Sequence, residues 1–307
     1  MPLEHTRTLW SLYWQQLGRG ASEEETAAGL EQLEAHGLTE FVRFLRSTPE
    51  GTWRAQAMRE ASWFEEGGWR LPYRLESAPR PAHVPCLVVR IHGATMGASP
   101  PPHLGVHAPG AHGLAVGSGH QPPYSVEALL AWSESVSQLV RGVCDGQDID
   151  LANVVFLGHS WAATLASLVL CRLGAGMGVL GAPPTFVGTW VARLQTLASQ
   201  RGPMAPLFEV IYKTAQLDGS QERAGALDKL LPDLLGTCPG VEWVIGISKS
   251  DSFWQDTEEF LLSLTHKAKA GVQLLDYQKH DDLEVVFKPF AAEQVRAWLR
   301  QRSQAIQ

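Results

Sequence analysis

The sequence predicts an α/β fold, a doubly wound and mostly parallel sheet, and three observations carry that reading. From residue 69 onward short apolar runs alternate with helical patterns: Cys86 to Ile91, about Leu104 to Ala108, Val154 to Leu157, Gly178 to Gly181, Val241 to Ile247 and Val272 to Leu275. Runs this short and apolar on both faces suit parallel strands covered by helices. The segment Trp161 to Leu173 is apolar almost all round and stops at Gly174, as a buried central helix should. Finally, 307 residues at 45% hydrophobic and 19% charged are a globular composition, enough for one large domain or a domain with an inserted piece.

The elements follow in order. Residues 1–66 read as a helical N-terminal extension. Ser22 with Glu25 forms a capping box ahead of a helix that stops at Gly37, a second helix runs from about Thr39, and a third from about Thr52 to the Gly67-Gly68 break. Trp69, Leu71, Tyr73 and Leu75 alternate as a half-buried strand. Helices from about Ser125 to Val143 and over the C-terminus, with Ala291, Val295, Trp298 and Leu299 on one face, fit as outer layers. Residues 67–183 and 240–307 thus make the α/β core. Between them, 184–239 carry helical patterns, Trp190, Leu194, Leu197 and Ala198, then Leu227, Leu230, Leu231 and Leu234. An insertion that leaves the carboxyl end of a parallel strand stands where ligands bind, so it reads as a lid. There is no internal repeat and no low-complexity tract.

Several function classes are disfavoured. The net charge of −7, with no Lys/Arg run, offers no surface for nucleic acid. The first twenty residues carry charges on both sides of a short apolar stretch and read as a helix, not a signal peptide. No apolar run reaches the ~18 residues that a membrane span needs. Cys86, Cys144, Cys171 and Cys238 show no C-x-x-C spacing, which fits a reduced, cytoplasmic chain without structural zinc. His92, His103, His107, His112 and His120 fall in Gly/Pro-rich chain with no carboxylate or thiol to complete a ligand set. No metal or cofactor is expected, and these histidines are expected to line the mouth of a site, with His92 bracing a turn.

The chemistry gathers at Gly158-His159-Ser160-Trp161-Ala162, a G-x-S-x-A variant of the nucleophile elbow. A serine hydroxyl is a weak nucleophile, so it must stand exposed on a tight strand-to-helix turn where a base can reach it. The crowding of that turn demands small residues two positions to either side, here Gly158 and Ala162. Downstream, VEWVIGI runs into Ser248-Lys249-Ser250-Asp251, and VQLLDYQ into Lys279-His280-Asp281-Asp282. Ser160, Asp251 and His280 therefore fall at three strand ends, with Asp256 and His266 as substitutes for the last two. Two backbone donors for an oxyanion are expected from Trp161 and from Ala94, or else Thr95, after the strand ending in His92-Gly93. His92, Phe186 and Trp190 are expected to contact substrate.

From about residue 69 to the C-terminus the chain resembles the α/β-hydrolase superfamily, in its lidded esterase, thioesterase and peptidase-like branches. The resemblance rests on the elbow, on the order Ser160, Asp251, His280, and on His92-Gly93 at the oxyanion turn. It rests also on Ala108-Pro109-Gly110-Ala111-His112-Gly113 and on Ser125-Val126-Glu127-Ala128-Leu129. Three departures stand out: Ala162 in place of glycine, only Ala94 to Pro102 between the oxyanion turn and the strand expected from Leu104, and the helical extension. The resemblance implies a serine hydrolase that cleaves an ester or thioester through an acyl-serine intermediate. The acyl group would be small-molecule and largely apolar, carried on a carrier protein or coenzyme A in one version, and polyketide-like chain release or cyclisation is a further version. Carbon–carbon bond hydrolysis or lyase chemistry with the same three residues, and a non-catalytic binding scaffold, are the alternative readings.

Overall fold

A computed structural model of the chain describes residues 3–17, 21, 23–78, 84–91, 110–118, 126–183, 240–251, 254, 269–278 and 283–304. Helices α1 (Leu3–Leu17), α2 (Glu23–Ser47) and α3 (Pro49–Glu60) come first. Gly37, at φ 76 and ψ 170, breaks α2 where the sequence expects a helix to stop. Thr48 caps α3, its Oγ1 accepting from the Gly51 N–H at 3.0 Å, with Pro49 at the first helical position. Leu9, Leu12, Tyr13, Leu17, Leu30, Phe41 and Leu45 make a small core of their own within this helical lobe. Ser22 lies outside the described residues.

The sheet begins earlier than the sequence suggests. Helix α3 ends at Glu60 rather than at Gly67-Gly68, and Ser62–Glu66 is strand β1, antiparallel to β2 (Trp69–Glu76). Gly67 and Gly68 have φ of 59 and 81, the paired positive values of a two-residue type I′ hairpin turn. The Ser135 hydroxyl donates to the Glu66 carbonyl at 2.8 Å and ties this turn to helix α4 (Val126–Gln147).

Eight strands form one sheet in the order β1-β2-β4-β3-β5-β6-β7-β8. The remaining strands are β3 (Leu87–Ile91), β4 (His112–Val116), β5 (Val154–His159), β6 (Gly176–Gly181), β7 (Val241–Ile247) and β8 (Lys269–Leu274). β4 pairs antiparallel with β2 but parallel with β3, and every pair from there to β8 is parallel. The strand that the sequence reading sets at about Leu104 to Ala108 lies outside the described residues, and that reading has no counterpart of β4. Its His-Gly start hides a strand that is buried throughout. The chain runs from β3 to β4 through residues 92–111, of which 92–109, with the expected short connection, lie outside the described residues.

Alternation along the central strands explains why they read as apolar on both faces. Leu87, Val89, Val154 and Phe156 point into one core, shared with Trp132 and Val136 of α4 and with nearly all of α5 (Trp161–Leu173). Val88, Val155, Leu157 and Val179 point into the other, shared with Phe287, Phe290, Val295 and Trp298 of α6 (Leu283–Gln304). Burying a side chain of this size stabilises the fold by about 1.5–3 kcal/mol. Gly174, at φ 73, ends α5 by donating to the Leu170 carbonyl at 2.9 Å. No described helix is long and apolar enough to cross a membrane. Residues 184–239, the expected lid, lie outside the described residues, between the carboxyl end of β6 and the start of β7.

Candidate active site

Sequence and steric necessity fix the turn between β5 and α5. Ser160 sits at φ 53 and ψ −134, a left-sided conformation costly for any residue with a Cβ. Its N–H donates to the Gly181 carbonyl at 2.8 Å, which locks the turn to neighbouring β6. A Cβ on Gly158 would stand 2.5 Å from the Ala162 carbonyl oxygen, so only glycine fits two residues before the serine. Ala162, two residues after it, is accommodated and buried. The His159 ring packs at 5.4 Å from that of Phe287, which joins the elbow to α6. Ser160 itself is half-buried, at the start of a helix whose positive dipole end faces it. Trp161, expected to supply one oxyanion donor, is the first residue of α5.

Asp251 stands beyond the end of β7, which β6 alone separates from β5. Two strand spacings put these ends about 10 Å apart. Register aligns them, since His159 pairs with Gly181 and Gly181 with Gly246. Asp251 is 5% exposed, unusual for a carboxylate, and its Oδ2 accepts the Tyr277 hydroxyl at 2.6 Å. The Ser248 hydroxyl donates to the Tyr277 carbonyl at 2.7 Å, while the Asp251 N–H donates to the Ser248 carbonyl at 3.0 Å. Burial, then the hydrogen bond to Asp251, pushes the Tyr277 hydroxyl well above its usual titration range, so it stays a donor. Ser248 and Tyr277 are the residues that sequence reasoning missed. The one signal was a tyrosine three positions before His280, just past the end of β8.

Ser160, Trp161 and Asp251 thus lie on one edge of the sheet, at the carboxyl ends of its parallel strands. His280, Ala94, His92, Phe186 and Trp190 lie outside the described residues, as do Asp256 and His266. Flanking His280 are two fixed points: Tyr277, bonded to Asp251, and Leu283, buried at the start of α6. His112 is a correction. It lies at the amino end of β4, opposite Ser160 across the sheet, and is buried, so it does not line the site mouth. No group of three or more potential metal ligands occurs among the described residues.

No protein-family model and no curated protein matches the chain. Solved structures do match. A structure from two fungal esterases of Rhizomucor miehei superposes with a TM-score of 0.57 at 15% identity, over 85% of this chain and 92% of that one. The fold is α/β-hydrolase-like. A capsule O-acetyltransferase of Neisseria meningitidis serogroup A, a point mutant in complex with CoA, matches at a TM-score of 0.53 and 11% identity, over 78% of this chain and 96% of that one. A glycosylation-associated protein complex from Streptococcus agalactiae matches at 0.55 and 13%, over 77% of this chain but only 45% of that one.

Proposed function

We propose that the protein is a serine hydrolase acting on an acyl ester or thioester. The observation that carries this is Ser160, held at positive φ on a strand-to-helix turn, with a buried carboxylate two strands away on the same sheet edge. A strained turn costs of order 1–3 kcal/mol, and such strain persists where the surrounding structure imposes it for a use. Ser160 attacks the acyl carbon, His280 takes its proton, Asp251 orients His280, and the Trp161 and Ala94 N–H groups receive the oxyanion. His280 then returns the proton to the departing alcohol or thiol, and water releases the acyl group from Ser160. Phe186 and Trp190, in the segment proposed as a lid, would bury an apolar acyl chain. Both an esterase and an acyltransferase that binds CoA occur among the structural neighbours, which supports acyl transfer through oxygen and leaves a CoA or carrier thioester as the finer reading.

A fluorophosphonate probe tests this directly. Mass spectrometry should find the label on Ser160, and Ser160→Ala should abolish both labelling and p-nitrophenyl ester turnover while circular dichroism stays unchanged. A true nucleophile supplies several powers of ten, so a loss below about tenfold refutes the role. Absence of labelling in the native chain would favour a binding scaffold. Labelling with turnover of β-diketones and none of esters would favour carbon–carbon bond cleavage.

A further inference from the structure

We propose that Tyr277 is a positioning residue for the reaction, acting through Asp251; the inference rests on the hydrolase reading above. An orienting carboxylate has two tasks. It has to stay ionised while buried, and hold one face in a fixed direction so that the imidazole it bonds cannot turn. Burial opposes the first, because desolvation disfavours charge. Free rotation about the last side-chain torsion opposes the second, since that torsion is broad and two-fold.

Tyr277 answers both. Its hydroxyl meets Asp251 Oδ2 at 2.6 Å, the length of a charge-assisted O–H···O⁻ bond. Both side chains are nearly fully buried, 4% and 5% exposed, so the bond forms away from water, where it is strongest. A phenol raised in pKa by its surroundings donates throughout the range in which the carboxylate is charged. With Oδ2 held, Oδ1 keeps a fixed heading for a second donor. Tyr277 also stands three residues before His280, so one short stretch of chain carries both the donor that fixes Asp251 and the proposed base.

The hydroxyl is not what folds this region. The loops after β7 and β8 are already joined by Ser248 Oγ to the Tyr277 carbonyl and by the Leu275 N–H to the Ile247 carbonyl at 2.9 Å. The Tyr277 ring packs in the core with Leu283 and Phe287, an environment that phenylalanine fills equally well. Tyr277→Phe therefore removes one bond and little else.

The experiment uses the full chain and fluorophosphonate labelling of Ser160, whose rate against pH reports how well the serine is activated without needing the natural substrate. Tyr277→Phe should slow labelling about tenfold, the worth of one charge-assisted hydrogen bond. The acidic limb of the profile should move up by about half a pH unit, because a carboxylate relieved of one donor holds the imidazolium more tightly. With p-nitrophenyl acetate the fall should be in kcat, with KM unchanged. In an Asp251→Asn background the same substitution should change nothing further, the signature of a residue that works through its partner. Labelling within twofold of the native rate with an unmoved limb overturns the assignment, as does an effect that persists at full size in Asp251→Asn. A native chain whose Ser160 never labels overturns the hydrolase reading, and this inference falls with it.

Discussion

The ends of β5 and β7 carry the two described side chains of the site, and they are built in opposite ways. At β5 the backbone does the work. Ser160 is forced to φ 53, Gly158 leaves no room for a Cβ, and one N–H bonds the adjacent strand. At β7 side chains do it. Ser248 and Tyr277 reach each other across 29 positions, and Tyr277 and Asp251 across 26. A turn defined by its own few residues is set by steric exclusion and fails all at once. A loop defined by distant partners is set by hydrogen bonds and fails one bond at a time.

Four measurements press on that contrast. The largest effect should come from Asp251→Asn, which keeps shape but removes the charge that orients and stabilises the imidazolium. Ester turnover should fall by about three to four powers of ten. A loss under tenfold would pass the role to Asp256. Next, Gly158→Ala should destabilise the chain by about 1–3 kcal/mol in urea unfolding, since the new methyl meets backbone that cannot yield. An unchanged midpoint would mean that the elbow relaxes more freely than its contacts allow. Ser248→Ala, which removes the bond to the Tyr277 carbonyl and the weaker one from the Ser250 N–H, should cost only about 1 kcal/mol, with Ser160 labelling still present. A loss of stability as large as that of Gly158→Ala would erase the distinction between the two loops.

The smallest effect concerns alkali. The Tyr277 hydroxyl has a folded-state pKa above its ordinary value near 10, so the unfolded chain loses that proton first. Stability is therefore fully present below pH 10 and declines as pH rises beyond it. The Cys86 and Cys144 thiols, pushed up by burial to about 11 from 9.0, add a decline of the same sign from a lower onset. Urea midpoints between about pH 8 and 11 should fall for the native chain and fall less for Tyr277→Phe. Equal slopes would show that the Tyr277 hydroxyl titrates alike in the folded and unfolded chain.

The same contrast decides what was legible in the sequence. The elbow was readable because its residues are contiguous: an apolar strand, a small-residue turn and an apolar helix stopped by Gly174. β7 was readable to the residue, because VEWVIGI is apolar apart from Glu242. Asp251 could be located as a strand-end carboxylate, yet nothing near it announced Tyr277 or Ser248, whose partners are distant in sequence. β1 escaped because Ser62–Glu66 is polar at both ends, and its pairing with Trp69–Glu76 becomes visible only through the two positive-φ glycines between them. β4 escaped because a histidine and a glycine open it. Their flanks are covered by β2 and β3, so burial comes from neighbours, not from local composition.

The antiparallel hairpin at the sheet's edge has a mechanical consequence. Ala61 links α3 to β1, so tension carried along the chain from the N-terminus reaches the sheet at Ser62, the first residue of β1. Among the described residues β1 is paired on one side only. Its contacts with β2 are loaded in sequence from Ser62↔Tyr73 toward Glu66↔Trp69, opening like a zipper instead of shearing together. The Ser135 bond to Glu66 then acts as the stop at the far end of that path. Pulling on the lobe should give a low-force first event that spares the parallel strands and the Ser160 turn. A single high-force rupture of the whole sheet would show that the hairpin does not serve as a mechanical fuse.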